Sequence, residues 1–151
     1  MGKEETLRLA RQTAEAQAFF NLAEKRGKGC LDARVMRPCD TDWVTCIDDA
    51  WVVRFSVSET CLSSSNEQLS LTLLINSKTG DILSRYPELP YFEDPSYCLI
   101  DADCRLGAGP AQFTECKNFI HALLENPDSP NDAECVCLES RCMKSPEKAH
   151  N

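Results

Sequence analysis

The first part of the chain carries apolar residues at helical spacing. Between residues 4 and 26 they recur every three or four positions, which places them on one stripe of a helix. The stripe consists of Leu7, Ala10, Ala14, Ala18 and Leu22, widened by Phe19 and Ala23. Gly27 and Gly29 follow as stop signals. The pattern predicts a single helix over residues 4–26 that lies across a sheet.

The next residues change to the two-residue period of β-strands. In residues 51–58, apolar and mostly polar positions alternate, and the apolar set is Trp51, Val53, Phe55 and Val57. Residues 68–76 repeat the pattern through Leu69, Leu71, Leu73 and Ile75, and residues 82–86 return as a further strand. Residues 76–81 predict a hairpin loop in which Gly80 takes a positive φ. Residues 31–38 are a weaker strand candidate before a turn region, and residues 60–67 read as a polar loop.

The second half is less regular. Residues 87–97 contain three prolines and predict a connector. Residues 111–125 predict a second helix, with Phe113, Cys116, Ile120 and Leu123 or Leu124 on one side. Residues 134–143 predict a short hairpin, and the charged residues after it predict a disordered tail.

These elements together predict an α+β fold in two parts. Residues 1–88 form a domain in which the N-terminal helix packs on a curved antiparallel sheet. Residues 96–143 form a small disulfide-rich acidic module with one helix and a short hairpin, and residues 144–151 are the tail.

Ten cysteines are the strongest chemical signal in the chain. They are Cys30, Cys39, Cys46, Cys61, Cys98, Cys104, Cys116, Cys135, Cys137 and Cys142. A gap of 36 residues separates the first four from the last six, so each even-numbered group can close on itself through disulfide bonds. About 45 connectivities are then possible. The count predicts an oxidising compartment outside the cytoplasm.

Two local arguments restrict the connectivity. In the first group a nested pairing fits, with Cys39 and Cys46 flanking a turn and Cys30 and Cys61 outside it. In the second group, Cys135 and Cys137 stand two apart, so on a strand they point to the same face and do not bond to each other. Each therefore needs its own partner among Cys98, Cys104, Cys116 and Cys142.

Zinc or redox chemistry is the alternative use of these thiols. Structural zinc sites favour two pairs at C-x2–4-C spacing, and thioredoxin-like sites need C-x-x-C. The chain has one C-x-C, no C-x-x-C, and looser gaps elsewhere. Disulfides are therefore the preferred interpretation, with zinc second, and no metal site is assigned.

Other motifs predict structural roles. His121 on the predicted helix reads as a surface histidine, and His150 lies in the tail. Asp101 and Asp103 have calcium-loop spacing but lack the remaining ligands, which favours a turn. Trp43 and Trp51 read as core anchors. Residues 107–110, Gly-Ala-Gly-Pro, lack the other residues of a phosphate or dinucleotide loop, so no cofactor is expected.

Charge narrows the range of partners. The net charge is −8; residues 1–90 carry 11 basic and 13 acidic side chains (−2), and residues 91–151 carry 5 and 11 (−6). Such a chain disfavours nucleic acid and anionic membrane surfaces. No run of about 18 apolar residues is present to span a bilayer. The N-terminus has no apolar signal core, and we expect that an export signal preceded Met1 and was removed.

One helix followed by an antiparallel sheet is the order of cystatin-like folds. Residues 51–55 (WVVRF) and 71–83 (LTLLINSKTGDIL) resemble the ending of PepSY-type domains, in which an aromatic-led strand precedes a strand, a Thr-Gly-acidic hairpin and a returning strand. The resemblance covers about residues 4–86. It implies a secreted or periplasmic module that binds or inhibits and has no catalytic residues.

The second half resembles small cysteine-rich modules of exported proteins. The residues that carry this resemblance are 98–104 (CLIDADC), 116–118 (CKN), 135–137 (CVC) and Cys142. The pattern implies no particular activity.

The sequence therefore predicts a non-catalytic, disulfide-stabilised module outside the cytoplasm that binds or inhibits another protein. Two alternatives stand beside it: a structural component of a cell-envelope or surface assembly, and a zinc or redox protein. No catalytic residue is assigned, because no acid–base or nucleophilic constellation can be assembled from the sequence.

Overall fold

The computed structural model describes residues 1–25, 30–41, 46–58, 66–108, 114–125 and 134–145. The chain divides into two compact units, an N-terminal unit Met1–Glu88 and a C-terminal unit Leu89–Asn151. The fold is α+β, as predicted, and the N-terminal unit is built on a four-stranded antiparallel sheet.

The N-terminal unit begins with two helices, α1 (Lys3–Arg11) and α2 (Ala14–Lys25). The prediction of one helix over residues 4–26 is therefore wrong. The Oγ1 of Thr13 accepts a hydrogen bond from the Ala16 backbone N–H at 3.2 Å, as an N-cap does, while the Thr13 hydroxyl donates to the Ala10 carbonyl at 2.8 Å. This side chain ends one helix and begins the next.

The break also moves the buried stripe. Of the predicted stripe only Ala10 is buried, and Ala14 is exposed. The second helix instead buries Ala16, together with Phe19 and Ala23, which were expected only to widen the stripe.

Four strands form the sheet in the order β1 (Cys30–Met36), β2 (Ala50–Ser58), β3 (Asn66–Asn76) and β4 (Ile82–Tyr86). All neighbouring pairs are antiparallel. The predicted strands at 51–58, 68–76 and 82–86 are confirmed, and so is the weaker one at 31–38. The turn after β1 is a short 3-10 helix at Pro38–Asp40.

The helices pack on the face of the sheet that carries the odd-numbered residues of β2. Phe20 of α2 meets Phe55 edge to face, with ring centroids 5.0 Å apart. Glu15 of α2, which is buried, forms an ion pair with Arg85 of β4 at 3.3 Å. The largest fully buried side chains of this unit are Phe19 and Phe55, and the aliphatic residues Leu71, Leu73 and Ile75 of β3 are fully buried beside them.

The other face of the sheet departs from the predicted polar pattern. Val52, expected to be exposed, is 0% exposed and clusters with Ala50 and Leu74. Alternation in the sequence therefore identified one buried face and missed a second, smaller one.

The hairpin loop between β3 and β4 forms as predicted. The Asn76 Oδ1 accepts hydrogen bonds from the backbone N–H groups of Lys78 and Thr79, which makes an Asx turn. Gly80 has φ 79°. This positive φ is the reason the position needs glycine. A Cβ there would also lie 3.1 Å from both Leu9 Cδ1 and Met1 Cε, so the ends of these two side chains would have to move by a few tenths of an ångström.

Trp51 is a core anchor, as predicted, and it also binds the N-terminus. Its Nε1–H donates to the Met1 carbonyl at 3.0 Å. The Arg37 guanidinium lies 3.6 Å from the centroid of the indole ring and donates to the Ala50 carbonyl at 3.0 Å. Trp43, His150 and residues 60–65 of the loop predicted at 60–67 lie outside the described residues. The last two residues of that predicted loop, 66 and 67, instead belong to β3.

The C-terminal unit begins with a helix where the sequence predicted a connector. This helix, α3 (Leu89–Glu93), buries Tyr91 and Phe92. Proline at position 90 falls in the first turn of α3, where its missing N–H removes no helical bond. The prediction that residues 87–97 only connect is therefore wrong.

Two antiparallel hairpins and one further helix complete this unit. The elements are β5 (Cys104–Ala108), β6 (Thr114–Asn118), α4 (Phe119–Glu125), β7 (Cys135–Leu138) and β8 (Arg141–Lys144). The predicted helix over 111–125 is wrong in its first part, because residues 114–118 pair with β5 as a strand. The predicted hairpin at 134–143 is confirmed. Lys144 of the predicted tail ends β8, and residues 146–151 lie outside the described part.

Candidate interaction site in the C-terminal unit

Three disulfide bonds hold the C-terminal unit together. They join Cys98 to Cys137, Cys104 to Cys142, and Cys116 to Cys135. Cys135 and Cys137 thus bond to different partners, as the strand argument predicts. Cys98 and Cys104 are 0% exposed, and with Cys135 and Cys142 they form the centre of an apolar cluster. The disulfides therefore add to the apolar interior of this short unit, beside the buried side chains of its helices.

In the N-terminal unit, Cys39 and Cys46 are bonded across the turn, in agreement with the nested pairing. The outer pair of that scheme lies beyond what can be described, because Cys61 and the side chain of Cys30 fall outside the described residues.

The pair Asp101 and Asp103 has the turn-forming role that the sequence favoured. The Oδ2 atom of Asp103 accepts hydrogen bonds from the Leu99 and Ile100 N–H groups at 2.9 and 3.2 Å, and from the Tyr91 hydroxyl at 2.6 Å. Asp101 Oδ1 accepts from the backbone N–H of Cys137 at 2.8 Å. These carboxylates connect the turn to α3 and to β7.

A second polar network surrounds Asn118, which is fully buried. Its Nδ2 donates to the carbonyls of Tyr91 and Asp94 at 3.0 and 2.9 Å, and its Oδ1 accepts from the His121 N–H at 3.3 Å. The side chain therefore ties the end of α3 to the start of α4.

His121 lies in the interior, so its interpretation as a surface histidine is wrong. It is 4% exposed, and its Nε2 lies 3.1 Å from the Phe92 carbonyl oxygen. A carbonyl only accepts, so this nitrogen carries a proton. Every residue of α4 from Phe119 to Leu124 is buried, which leaves this stretch of the helix without a solvent face.

The hairpin β7–β8 has two faces of different character. Cys135, Cys137 and Cys142 point towards the disulfide cluster. On the opposite face lie Val136, Leu138, Arg141 and Met143, which we call the hairpin face. Leu138 is 46% exposed and Met143 is 47% exposed.

Two further apolar side chains follow the bonded Cys98. Leu99 is 59% exposed and Ile100 is 60% exposed, although the turn that carries them is held by Asp103. Large apolar groups kept in water on a rigid backbone are a feature of contact surfaces.

The turn of this hairpin presents polar groups beside the hairpin face. Glu139 and Ser140 have φ 51° and 63°, the conformation of a type I′ turn. The Ser140 carbonyl accepts from Cys98 N–H at 3.3 Å, and the Ser96 carbonyl accepts from Cys142 N–H at 2.7 Å. The hairpin is thus attached through its backbone as well as through its sulfurs.

Sequence reasoning missed the hairpin face. The run Cys-Val-Cys-Leu over residues 135–138 is apolar on both sides of a strand, so periodicity does not separate a sulfur-bonded face from an exposed aliphatic one. The available signal was the argument that both cysteines share one face, which places Val136 and Leu138 on the other.

Among the described residues, no helix has the length and apolar character needed to cross a membrane. No protein-family model, no curated protein and no solved structure matches the chain.

Proposed function

We propose that the chain is a non-catalytic protein-binding module that works outside the cytoplasm, and that the hairpin face is its contact surface. The observation that carries this proposal is the exposure of Leu138 and Met143 on a hairpin whose other face is bonded through three disulfides. A disulfide-rich unit of this kind suits an oxidising compartment.

Rigidity is what makes the hairpin face suited to binding. A surface that is already ordered loses less conformational entropy when a partner docks. The exposed hairpin itself consists of eight strand residues, Cys135–Leu138 and Arg141–Lys144, so such a contact would be small. Small contacts of this kind gain affinity from a few apolar anchors, for which Leu138 and Met143 are placed.

The resemblance of residues 4–86 to cystatin-like and PepSY-type modules adds a second line of support. Modules of that type bind or inhibit proteins, which supports a binding role for the chain, and this proposal places the contact on the hairpin face. Inhibition of a protease is the most specific form of the proposal that can be assayed.

The test uses the oxidised full chain against a panel of extracellular proteases and as bait for cross-linking in secreted fractions. Leu138→Ser combined with Met143→Ser removes the two anchors. Leu83→Ser in the N-terminal unit is the matched control, since Leu83 is 50% exposed. We expect the wild type and the control to inhibit or capture the same protein and the double variant to lose it. Equal capture by all three proteins would refute the role of the hairpin face.

A structural role in a surface assembly would use the same apolar face between copies of the chain. Sedimentation velocity separates the two functions. A monomer that becomes larger only with a partner supports the binding module, whereas a dimer that the double variant dissociates supports the assembly component.

A further inference from the structure

Two of the disulfides lie side by side in the C-terminal unit. The Sγ atoms of Cys98, Cys104 and Cys142 are all within 4.8 Å of one another. Cys104 and Cys142 are bonded to each other, and Cys98 is bonded to Cys137 through an S–S distance of 2.03 Å. Four sulfur atoms from four places in the sequence therefore meet in one region of the interior.

We propose that these four cysteines form a tetrathiolate site for one zinc ion when both disulfides are reduced. The C-terminal unit then has two alternative crosslinks, sulfur to sulfur in oxidising surroundings and sulfur to zinc in reducing ones. This inference goes beyond the binding function proposed above and does not depend on it.

The distances fit such a site. Zinc bonds thiolate sulfur at about 2.3 Å, so neighbouring sulfurs of a tetrahedral site lie about 3.8 Å apart. The Cys98 sulfur lies within 4.8 Å of both sulfurs of the other disulfide. The sulfurs of each bonded pair must separate, and the Cys137 sulfur, which is bonded to Cys98 but is not part of that group of three, must also turn towards Cys104 and Cys142. Rotation about the cysteine side-chain bonds provides such movements.

The backbone near the four cysteines is also held by hydrogen bonds that do not involve sulfur. Cys137 N–H donates to Asp101 Oδ1 at 2.8 Å, and Cys142 N–H donates to the Ser96 carbonyl at 2.7 Å. Cys137 and Cys142 are also direct partners across the β7–β8 hairpin. The ligands are thus arranged by the fold and not only by the sulfur bonds, and bound zinc would add its own folding free energy.

The spacing of the ligands explains why the sequence indicated this site only in part: Cys137 and Cys142 have C-x4-C spacing, whereas Cys98 and Cys104 are separated by five residues. Zinc knuckles take two ligands from one short C-x2–4-C turn. Here Cys98 precedes a 3-10 turn, Cys104 begins β5, Cys137 lies in β7 and Cys142 lies in β8. Soft thiolates in a buried tetrahedral set favour zinc over oxygen-seeking cations such as calcium or magnesium.

The chemistry balances in two steps. Two molecules of a dithiol reductant reduce the two disulfides to four thiols and are themselves oxidised to two cyclic disulfides. One Zn²⁺ then replaces the protons of the four thiols, which gives a centre of charge −2 and four protons in solution. Zinc uptake by this chain is therefore tighter at higher pH.

The experiment uses the full chain, reduced without oxygen, freed of reductant and titrated with Co²⁺ and then Zn²⁺. We expect one metal per chain, the visible absorption of tetrahedral cobalt thiolate, and its loss when zinc displaces cobalt. Alkylation of the zinc form followed by peptide mass mapping should show protection at Cys98, Cys104, Cys137 and Cys142. Cys116 and Cys135, whose disulfide is also reduced, should be labelled.

Variants make the assignment specific. Cys98→Ser or Cys142→Ser should weaken zinc binding by more than the roughly 10–100-fold that loss of an outer-shell partner costs. The matched control, Cys116→Ser with Cys135→Ser, removes the third disulfide and should retain one zinc at the wild-type affinity. No metal uptake, more than one metal per chain, or protection spread over other cysteines would overturn the proposal. Protection spread over other cysteines would also show that the reduced chain binds metal only after it unfolds.

Discussion

The hydroxyl of Tyr91 donates a 2.6 Å hydrogen bond to the carboxylate of Asp103, and both side chains are almost fully buried. The bond joins α3 to the turn that precedes β5. Because its acceptor is an anion that water cannot reach freely, it is stronger than a bond between neutral groups.

We therefore predict that Tyr91→Phe lowers the free energy of unfolding by about 1.5–3 kcal/mol, since the phenyl ring is kept and only the charge-assisted bond is lost. Tyr97→Phe is the matched control. Its ring meets that of Tyr91 edge to face at 5.0 Å, and the substitution keeps this contact. Urea unfolding of the oxidised proteins measures both effects. Equal stability of the two variants would show that the buried bond contributes little.

Asn118 supports a second prediction, because it uses both of its amide groups. Its Nδ2 faces two carbonyl oxygens, so Asn118→Asp places a carboxylate where two donated bonds had been. We expect a loss of about 3–5 kcal/mol near neutral pH, the range for an unpaired buried charge. The new carboxyl has its pKa raised in the folded state, so the loss should shrink as the pH falls.

The control for this variant is Asn76→Asp. The Asn76 side chain acts through its Oδ1 as an acceptor from two backbone N–H groups, and a carboxylate accepts them equally well. We expect a change within about 0.5 kcal/mol. Unfolding measured at several pH values should show a pH-dependent loss for Asn118→Asp alone, and a loss that does not vary with pH would contradict the account.

The α+β architecture of the N-terminal unit could be predicted because its strands have one strongly apolar face each. Leu69, Leu71, Leu73 and Ile75 alternate without interruption, and the structure buries all four. The break between α1 and α2 could not be predicted this way. Thr13 is compatible with a continuous helix, and only its hydrogen bonds to Ala10 and Ala16 show that it ends one.

The C-terminal unit was harder to predict, because pairing between residues far apart in the sequence decides its secondary structure against the local spacing of apolar residues. Cys116, Ile120 and Leu123 have helical spacing, yet Cys116 belongs to β6, which is bonded to β5 along its edge and to Cys135 through sulfur. Cysteine also counts as apolar in any periodicity, which concealed the exposed hairpin face. The sequence therefore predicted that the cysteines of this unit form disulfides, but it did not predict the exposed hairpin face.

A further prediction concerns Gly80 in the N-terminal unit, where alanine would add a single carbon atom. Its φ of 79° is unfavourable for any side chain, and an added Cβ would lie 3.1 Å from Leu9 and from Met1. We predict that Gly80→Ala lowers the free energy of unfolding by about 1–2 kcal/mol. Gly2→Ala is the control, because a Cβ at that position would have no neighbour within 4 Å and its φ is −85°. Gly2 is the N-cap of α1, where alanine is less favourable than glycine, so we expect a loss that is smaller than that of Gly80→Ala. Thermal unfolding of the two variants checks the difference.

The environment of Asp94 predicts that its contribution to stability depends on pH in the acid range. Hydrogen bonds from the Ser96 N–H and hydroxyl, at 3.0 and 2.9 Å, lower the pKa of this carboxyl below its ordinary 3.8, with smaller help from Arg141 and His121. A lowered folded pKa means that the ionised group stabilises the fold above about pH 3.8 and that this contribution is lost as the pH falls through the folded value.

Carboxyl NMR titration measures this pKa directly. We expect a midpoint for Asp94 below 3.8, and an upward shift in Ser96→Ala, which removes the hydroxyl but keeps the backbone donor. Asp94 is exposed, so the effect on stability is small. A midpoint that does not move in Ser96→Ala would show that the backbone N–H alone holds the carboxylate.

The disulfides Cys98–Cys137 and Cys104–Cys142 lie next to each other in the fold. Each should contribute less to the free energy of unfolding while the other is present than after the other has been removed. They span 39 and 38 residues, but the third disulfide, Cys116–Cys135, lies inside both loops and shortens each to about 22 residues. While one of the two bonds is present, the other closes a ring of about 13 residues, 98–104 and 137–142. Loop entropy then predicts a loss of about 3 kcal/mol for the first pair replaced by alanine and about 3.4 kcal/mol for the second. Urea unfolding of the two paired variants and the fourfold variant measures the coupling. Strictly additive losses would mean that the two bonds constrain the unfolded chain independently, against the interleaved arrangement of these cysteines.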